Sequence, residues 1–479
     1  MTIRRRMAAT VLAAGAALGA SAQSSPEAEI AKYREALAAG NPAELWEARG
    51  EALWKEKRGP KKASLEACDL GKGAGVVKGA YAEMPRHFAD ADRVMDLETR
   101  LVHCMTTLQG TRFEDATKRV FGAGTNRSDL ESLTAWITSE SRGVTMNVPR
   151  SHAKEREAYQ LGEKMFYFRG GPHDFACATC HSENGKRIRL QDLPNLTEKA
   201  GAQLAYTTWP AYRVSQGELR TFQCGSTTAS ASSVSPSSSS RLTLRWRSPR
   251  SWRATPTAPL STRRPSSAEG FMMKTRMRVI TAAAALAAIA AGCASMSDQE
   301  ASQKALEVMK TSFNERGQAK LDRLDQDEAQ KLCSKPPAAE LPKAVAERVE
   351  KTNFDSIKYP VDGKLMGDWK SGERIAQTGV GKQFSDDPKV PSGANCYACH
   401  QLSKAEISYG TIGPSLYNYG KLRGTSEAIQ RYTYGKLYNS QAFTACSNMP
   451  RFGHNAILTD QQMKDVTALL LDPNSPVNQ

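Results

Sequence analysis

The sequence lacks both a membrane-spanning apolar run and a strongly basic folded region. Its longest apolar run, roughly 14 residues ending just before Cys293, is shorter than the about 20 residues that cross a bilayer. Lys and Arg outnumber Asp and Glu by 65 to 50, a net charge of +15. Residues 224–270 contribute +6 of this charge, and the flanks of two short apolar runs contribute another +6. The remaining +3 is too small to demand a polyanion, so we exclude nucleic acid as a partner.

Two segments have the design of export signals. Residues 1–22 combine basic residues, a short apolar stretch and the small-residue ending Ala20-Ser21-Ala22, so we expect cleavage after Ala22. Residues 271–293 repeat this design and end at Cys293, which resembles a lipoprotein signal with Cys293 as the lipidation site. The alternative is a short buried helix. We expect the periplasm as the compartment, with a lipid anchor on the C-terminal part if Cys293 is modified, and a signal in mid-chain suggests two genes read as one.

Residues 224–270 have almost no acidic side chains. They contain 14 Ser, seven Arg and five Pro but a single Glu, and they show neither helical nor strand periodicity. Such a composition cannot bury a core, so the segment is expected to be disordered. It is either a flexible linker or a translation out of frame, and Trp246 and Trp252 among the Arg and Pro residues favour the second interpretation.

Two motifs of the form C-x-x-C-H carry the chemistry, CATCH at residues 177–181 and CYACH at residues 396–400. Cysteines three residues apart, with a histidine next to the second, lie on one face of a helical turn, where two thiols can bond to haem and the imidazole can bind its iron. A dithiol redox pair and half of a zinc site are the alternatives. The second copy of the motif and the export signals favour haem c, two per chain. The attachment cysteines are Cys177, Cys180, Cys396 and Cys399, and the iron ligands are His181 and His400.

Hydrophobic spacing predicts a mainly α-helical protein around the motifs. Before CATCH, an apolar stripe at helical spacing indicates an amphipathic helix that ends at the glycine pair 170–171. The stripe consists of Ala158, Leu161, Met165 and Phe168.

The region after residue 294 has the residue order of a class I cytochrome c. CYACH is followed by IGPSL, which contains Pro414, and then by SNMPRFG, which contains Met449. In that pattern the Pro414 carbonyl accepts the Nδ1 proton of His400, and Met449 is the second axial ligand of the iron. The alternative for Met449 is a core position.

Helices are expected on both sides of this second site. Trp369, Gly372 and Ile375 recur at helical spacing before CYACH, and we expect Gly372 to let two helices cross closely. Thr459 and Gln462 form the ends of a capping box for a final helix.

The first half of the chain resembles the SoxA family of thiosulfate-oxidising cytochromes. The resemblance rests on SLEACDLGKGAGVVKGAYAEMPRHFAD, DLETRLVHCM, CATCHSENGKRIRLQDLPNL and TTWPAYRVSQGELRTFQ, and it covers residues 23–223. The N-terminal half has no C-x-x-C-H motif, which matches the single-haem form of the family: a haem-less cytochrome-like domain at 23–150 and a haem domain at 151–223. The resemblance implies a disulfide between Cys68 and Cys104, with free thiols as the alternative.

Residues 294–479 resemble SoxX, the electron-accepting partner of SoxA. GANCYACHQL, GTIGPSLYNYGKLRG and ACSNMPRFG carry this resemblance. Since SoxA and SoxX form one heterodimer, we expect the two parts of this chain to associate. Cys333 and Cys446 are left either as a disulfide or as two buried thiols.

The resemblance implies a reaction and its partners. A SoxAX complex joins thiosulfate oxidatively to a cysteine of the SoxYZ carrier protein and passes two electrons through haem to an acceptor cytochrome c. The expected activity is therefore that of an L-cysteine S-thiosulfotransferase. Its sulfur-transferring centre is a SoxA cysteine that also ligates haem iron.

That cysteine is missing where the resemblance stops, after Gln223. The family continues with text like WRLYDCFRQQR, and deleting one G from a coding string for it yields CGSTTASASS, which is the sequence from Cys224 to Ser233. We interpret the chain as SoxA joined to SoxX through a frameshift. The family cysteine then falls at Ala229, and Cys224 is a weak substitute because reactive thiolates need a defined electropositive pocket. The chain is either a competent thiosulfotransferase whose frame is restored or bypassed, or an electron-transfer cytochrome or defective gene product without sulfur chemistry.

Overall fold

The computed structural model describes residues 40–117, 128–213, 218–223, 296–336 and 339–479, with a few isolated positions before residue 40. The two predicted signals, the segment 224–270 and the positions Cys224, Ala229 and Cys293 lie outside the described residues. The chain divides into two compact units, Met1–Pro42 and Ala43–Gln479, and the second contains both haem motifs. The described part is mainly helical, which confirms the predicted fold class, and its only sheets are three two-stranded antiparallel hairpins.

The N-terminal region is a helical domain without a haem motif. Its elements are the helices Glu44–Lys55, Leu97–Thr107, Phe113–Ala116 and Asp129–Ser139, the 3-10 turn Tyr81–Glu83, and the strands Arg86–Phe88 and Arg93–Met95. The first and last of these helices cross where Gly50 has no side chain, because a Cβ there would come within 2.0 Å of the Ser132 carbonyl oxygen. Cys68 and Cys104 form a disulfide inside the core, the pairing that the SoxA resemblance implies.

The CATCH region follows and shares this core. Its elements are the helices Ala153–Tyr167, Cys177–His181 and Lys199–Thr207, and the strands Lys186–Ile188, Gln191–Leu193, Ala211–Arg213 and Glu218–Arg220. The long helix begins with a capping box between His152 and Glu155. The far end of the region returns to the first domain, where Tyr206 stacks on Tyr81 with ring centroids 5.1 Å apart. Residues on both sides of position 150 therefore contribute to one hydrophobic core.

The C-terminal region is built around the CYACH motif. Its helices are Asp298–Ser312, Glu328–Cys333, Lys343–Asp355, Trp369–Gln377, Tyr419–Arg423, Glu427–Tyr438 and Asp460–Leu471, with 3-10 turns at Leu321–Leu324, Cys396–Ala398, Ser440–Ala442 and Pro476–Asn478. The capping box of Thr459 and Gln462 is confirmed. So is the close helix crossing at Gly372, where a Cβ would lie 2.2 Å from the Asp465 carbonyl oxygen.

The helix before CATCH is confirmed, but its apolar stripe has an unexpected role. Phe166 and Tyr167, outside the stripe, pack in a hydrophobic cluster of the CATCH region with Ala176 and Ala178. Met165 and Phe168 from the stripe instead pack against a cluster of the C-terminal region, made of Met309, Phe313 and Leu324. The stripe is thus part of the contact between the two haem-bearing regions.

Within the described residues, none of the helices has the length and apolar character needed to cross a membrane.

Candidate haem sites

The CATCH motif forms a five-residue helix, Cys177–His181. The Thr179 hydroxyl accepts a hydrogen bond from the backbone N–H of Ala176 at 3.0 Å, which closes the first turn. Because one helical turn brings positions i, i+3 and i+4 together, Cys177, Cys180 and His181 share one face. Both cysteines are free thiols and half-buried.

His181 is oriented by a backbone carbonyl. Its Nδ1 lies 2.9 Å from the carbonyl oxygen of Pro194. Since a carbonyl can only accept a hydrogen bond, Nδ1 carries the proton and Nε2 keeps its lone pair for a metal. Burial lowers the pKa of His181, so the ring stays neutral, as an iron ligand must be. Sequence reasoning missed Pro194, although a proline 13 residues after the motif parallels the proline 14 residues after His400.

The CYACH motif has a tighter backbone. Asn395 enters it in the left-handed region at φ 47°, a conformation that Asn tolerates better than most residues, and a 3-10 turn follows at Cys396–Ala398. The backbone N–H of His400 donates to the Cys396 carbonyl at 2.9 Å, so the histidine and the first cysteine of the motif lie one turn apart. Cys396 and Cys399 are also free thiols and half-buried.

His400 repeats the arrangement of His181. Its Nδ1 lies 2.7 Å from the carbonyl oxygen of Pro414, the acceptor that the class I cytochrome pattern implies. Burial lowers the pKa of this histidine as well. The ring rests directly on Gly413, where a Cβ would lie 2.2 Å from its Cε1 atom. Glycine is therefore required before Pro414 if the ring is to keep this position.

The four motif cysteines do not have the environment of a reactive dithiol. Burial raises their pKa to about 11 for Cys180, to about 12 for Cys396 and Cys399, and well above its usual range for Cys177. Redox-active thiol pairs have a lowered pKa because positive charge or a helix N-terminus stabilises the thiolate. The dithiol interpretation is therefore disfavoured at both motifs.

The residues present fit haem c at both sites. The four other described cysteines pair in two disulfides, whereas the motif cysteines remain available for thioether bonds. Each site combines two such thiols with a neutral histidine. The proline carbonyl binds the Nδ1 of that histidine, so its Nε2 remains available for iron. Cys177, Cys180 and His181 would hold one haem, and Cys396, Cys399 and His400 the other. When bound, haem c supplies a one-electron carrier.

Met449 lies in a loop that packs on the C-terminal core. It contacts a cluster that includes Leu437, Phe452 and Met463. The Ser440 hydroxyl donates to the Met449 carbonyl at 2.5 Å. Cys333 and Cys446 form a disulfide, so of the two alternatives left by the sequence the structure contains the bonded one, and it fixes the start of this loop. Iron ligation by Met449 remains a prediction.

The two motifs adjoin one another, which sequence reasoning did not indicate beyond the expected association of the two parts. The hairpin that follows CATCH lies on CYACH, where the Arg189 backbone N–H donates to the Ala398 carbonyl at 3.4 Å. Thr411 makes two hydrogen bonds with the backbone of Arg187. Its N–H donates to the Arg187 carbonyl at 2.9 Å, and its hydroxyl accepts from the Arg187 N–H at 3.0 Å. Cys180 is near enough to add to the raised pKa of Cys399.

The chain matches two protein families. Residues 49–146 match the family described as SoxA/TsdA, cytochrome c domain. Residues 381–472 match the family Cytochrome c. The first match falls on the domain without a haem motif, and the second contains CYACH, Pro414 and Met449.

Curated relatives each align with less than half of this chain. The L-cysteine S-thiosulfotransferase subunit SoxA of Hydrogenophilus thermoluteolus is 48% identical over 194 residues, which cover 40% of this chain and 71% of the relative. The subunit of the same name from Hydrogenobacter thermophilus is 35% identical over 207 residues, or 42% of this chain and 73% of the relative. An uncharacterized lipoprotein of Aquifex aeolicus is 37% identical over 156 residues, or 32% of this chain and 73% of the relative.

A solved structure with some likeness is the crystal structure of SoxXA from P. pantotrophus. It is 24% identical to this chain, and the match covers 40% of this chain and 64% of that one with a TM-score of 0.32. A TM-score this low carries no structural argument.

Proposed function

The chain belongs, through its first half, to the SoxA family of L-cysteine S-thiosulfotransferase subunits, and we propose that it is a SoxAX-type c-type cytochrome of periplasmic sulfur oxidation. A cytochrome c domain is added at its C-terminal end. The observation that carries the proposal is the pair of adjoining C-x-x-C-H motifs, each with a histidine whose Nδ1 is bound to a proline carbonyl.

The proposed reaction joins thiosulfate to a carrier cysteine. A sulfur–sulfur bond forms between the thiolate of the SoxYZ carrier and the outer sulfur of thiosulfate, giving a cysteine S-thiosulfonate. Two electrons leave in this step and reach an acceptor cytochrome c. The residues of this chain contribute by holding two one-electron carriers side by side, since the hairpin after CATCH lies directly on CYACH.

The C-terminal cytochrome domain is proposed to be the SoxX part. Its resemblance to SoxX extends over residues 294–479, and Pro414 occupies the hydrogen-bonding position that this resemblance implies for His400. In this proposal the haem at CYACH has His400 and Met449 as axial ligands and passes electrons outward. The two parts interact with each other as SoxA and SoxX do in their heterodimer.

A second candidate function is electron transfer alone. The family's sulfur-transferring cysteine has no counterpart in this sequence, because its position is Ala229 and the only nearby thiol is Cys224. The last described residue before this break is well anchored, with the Gln223 side chain donating to Asp96 Oδ2 at 2.6 Å. A chain with this break retains both attachment motifs but lacks the family's group for sulfur transfer.

Resequencing the codons around Gln223 distinguishes the two functions. A restored Asp-Cys sequence supports the thiosulfotransferase, and the protein made from it should reduce cytochrome c in the presence of thiosulfate and SoxYZ. A confirmed deletion leaves electron transfer only, and the chain as printed should then show no thiosulfate-dependent reduction. Thiosulfate-dependent reduction of cytochrome c by the chain with Ala229 would contradict our conclusion that it lacks the sulfur-transferring cysteine.

We also propose export to the periplasm, where haem c is attached. The basic and apolar segments at 1–22 and 271–293 support this proposal. If translation restarts near Met272, the mature material is two chains, and the second is lipid-anchored when Cys293 is modified. Fractionation of cells followed by mass measurement tests both points, and a single full-length cytoplasmic chain would contradict them.

A further inference from the structure

The loop that carries Met449 is held by side chains from the other haem-bearing region. The loop runs from residue 446 to residue 451, in the C-terminal cytochrome domain. Two residues of the CATCH region, Arg169 and Asp174, contact it on the two sides of Met449. Both are buried, with 8% and 2% of their surface exposed. Their position suggests that one cytochrome region sets the geometry of the other's candidate iron ligand.

Arg169 binds the part of the loop before Met449. Its Nη1 donates to the Ser447 carbonyl at 2.7 Å, and its Nη2 donates to the Cys446 carbonyl at 2.9 Å and to Asn448 Oδ1 at 2.6 Å. One planar guanidinium therefore fixes three consecutive residues. The backbone of Arg169 is itself held, because its N–H donates to the Ser334 hydroxyl at 2.9 Å.

Asp174 binds the part of the loop after Met449. Its carboxylate accepts two hydrogen bonds from the Arg451 guanidinium, at 2.7 Å and 2.8 Å, in a bidentate pair. Arg451 is 1% exposed and also pairs with Asp327 of its own region at 2.7 Å. The side chains of Gln330 and Asn455 donate to the same carboxylate at 2.5 Å and 3.1 Å. This is a fully hydrogen-bonded buried charge, so its geometry is tightly defined.

Contacts within its own region also hold the loop, but before Met449 they involve atoms other than the three that Arg169 binds. The Cys333–Cys446 disulfide fixes the start of the loop, and the Ser440 hydroxyl binds the Met449 carbonyl. The Ser447 carbonyl and Asn448 Oδ1 receive their hydrogen bonds from Arg169. The neighbours of Met449 on both sides thus depend on the CATCH region for part of their support.

We propose that Arg169 and Asp174 are positioning residues that hold Met449 in place as an axial ligand of the haem at CYACH. The inference rests on the proposed ligation of that haem by His400 and Met449. A thioether is a weak iron ligand, so its bond depends on a loop that is already in the right place. Methionine ligation raises the reduction potential of a haem. The CATCH region would therefore tune the potential of the neighbouring haem through these two side chains.

The test compares variants of the full chain carrying both haems. The readouts are the near-infrared charge-transfer band of ferric haem bound by methionine and the reduction potential of the CYACH haem. Arg169→Met should lose most of the band and lower that potential. Arg169→Lys should lose less of the band, since one ammonium can replace part of the guanidinium's hydrogen bonding. Asp174→Asn should weaken the band, because it removes the carboxylate charge while keeping the size and shape of the side chain.

Two control variants make the result interpretable. Lys304→Ala removes an exposed ion pair with Glu157 between the same two regions, away from the loop, and should leave band and potential unchanged. Met449→Ala should abolish the band, and a band that survives it would refute the ligation by Met449 on which the proposal rests. If Met449→Ala abolishes the band but Arg169→Met and Asp174→Asn both keep it at full strength, the positioning role is wrong. Equal losses in Lys304→Ala would also overturn it, because the effect would then be general loosening of the contact.

Discussion

CATCH and CYACH have the same attachment chemistry but differ in where the second axial ligand would come from. In both, two free thiols accompany a histidine whose Nδ1 lies within 2.9 Å of a proline carbonyl. CYACH is followed within its own domain by a methionine in a buttressed loop. The corresponding family ligand for CATCH would fall at Ala229, beyond the point where the resemblance ends.

The two sides of a haem site lie at different distances along the sequence: the attachment motif with its histidine is local, whereas the distal ligand comes much later. Attachment and the proximal histidine occupy five consecutive residues, and the orienting carbonyl follows 13 or 14 residues later. The proposed distal ligand Met449 is 49 residues after His400, and the position of the family ligand, Ala229, is 48 residues after His181. The change of reading frame that we propose after Gln223 would therefore leave the CATCH attachment motif intact and remove the family's distal ligand.

The largest expected effect separates the two sites by their cysteines. Replacing Cys396 and Cys399 by Ser should remove one covalent haem per chain and the entire near-infrared methionine band. Replacing Cys177 and Cys180 by Ser should also remove one haem but leave the band at full strength. Haem counting and near-infrared spectra of the two purified double variants provide the measurement. A band that disappears with the CATCH cysteines would reverse our assignment of Met449.

The two disulfides offer the next comparison. Each should contribute about 2–4 kcal/mol to the free energy of unfolding, because cross-links restrict the unfolded chain. Cys104→Ser and Cys446→Ser should therefore both lower the melting temperature. Only Cys446→Ser should also weaken the methionine band, since Cys446 begins the loop that carries Met449. Calorimetry and spectra on the same samples test this, and an equal spectral change in both variants would argue against a local role for the second disulfide.

A smaller effect is expected at Gly413. The Cβ of Gly413→Ala would overlap the His400 ring, and such overpacking typically costs about 1–3 kcal/mol. The ring should shift, so the CYACH haem should change its spectrum while the CATCH haem keeps its own. Ser415→Ala, at an exposed position of the same loop, is the matched control. If both variants have normal spectra, the contact between Gly413 and His400 does not constrain the iron ligand.

The sequence predicted the local features well because they depend on short spacings. The helix before CATCH and the capping box at Thr459 follow from residues within one or two turns. The close crossing at Gly372 was indicated by a single residue that lacks a side chain, although its partner, Asp465, is distant in sequence. The Pro414 carbonyl was predictable from the motif order.

Contacts between distant segments were not predictable in the same way. Nothing near Arg169 in sequence indicates that its side chain binds a loop 277 to 279 residues away. The state of Cys333 and Cys446 was left open because pairing depends on three-dimensional proximity rather than on spacing. The stripe with Met165 and Phe168 predicted the helix correctly but not the surface it packs against. Periodicity identifies an apolar face and does not show which residues cover it.

The central claim, two covalent haems in non-equivalent sites, is tested most directly by counting haem in the mature protein. Intact mass and pyridine haemochrome stoichiometry of periplasmic material should give two haems, summed over one or two mature chains. A protein isolated from the periplasm with no haem would contradict the account, and a single haem would show that one of the two motifs is not an attachment site.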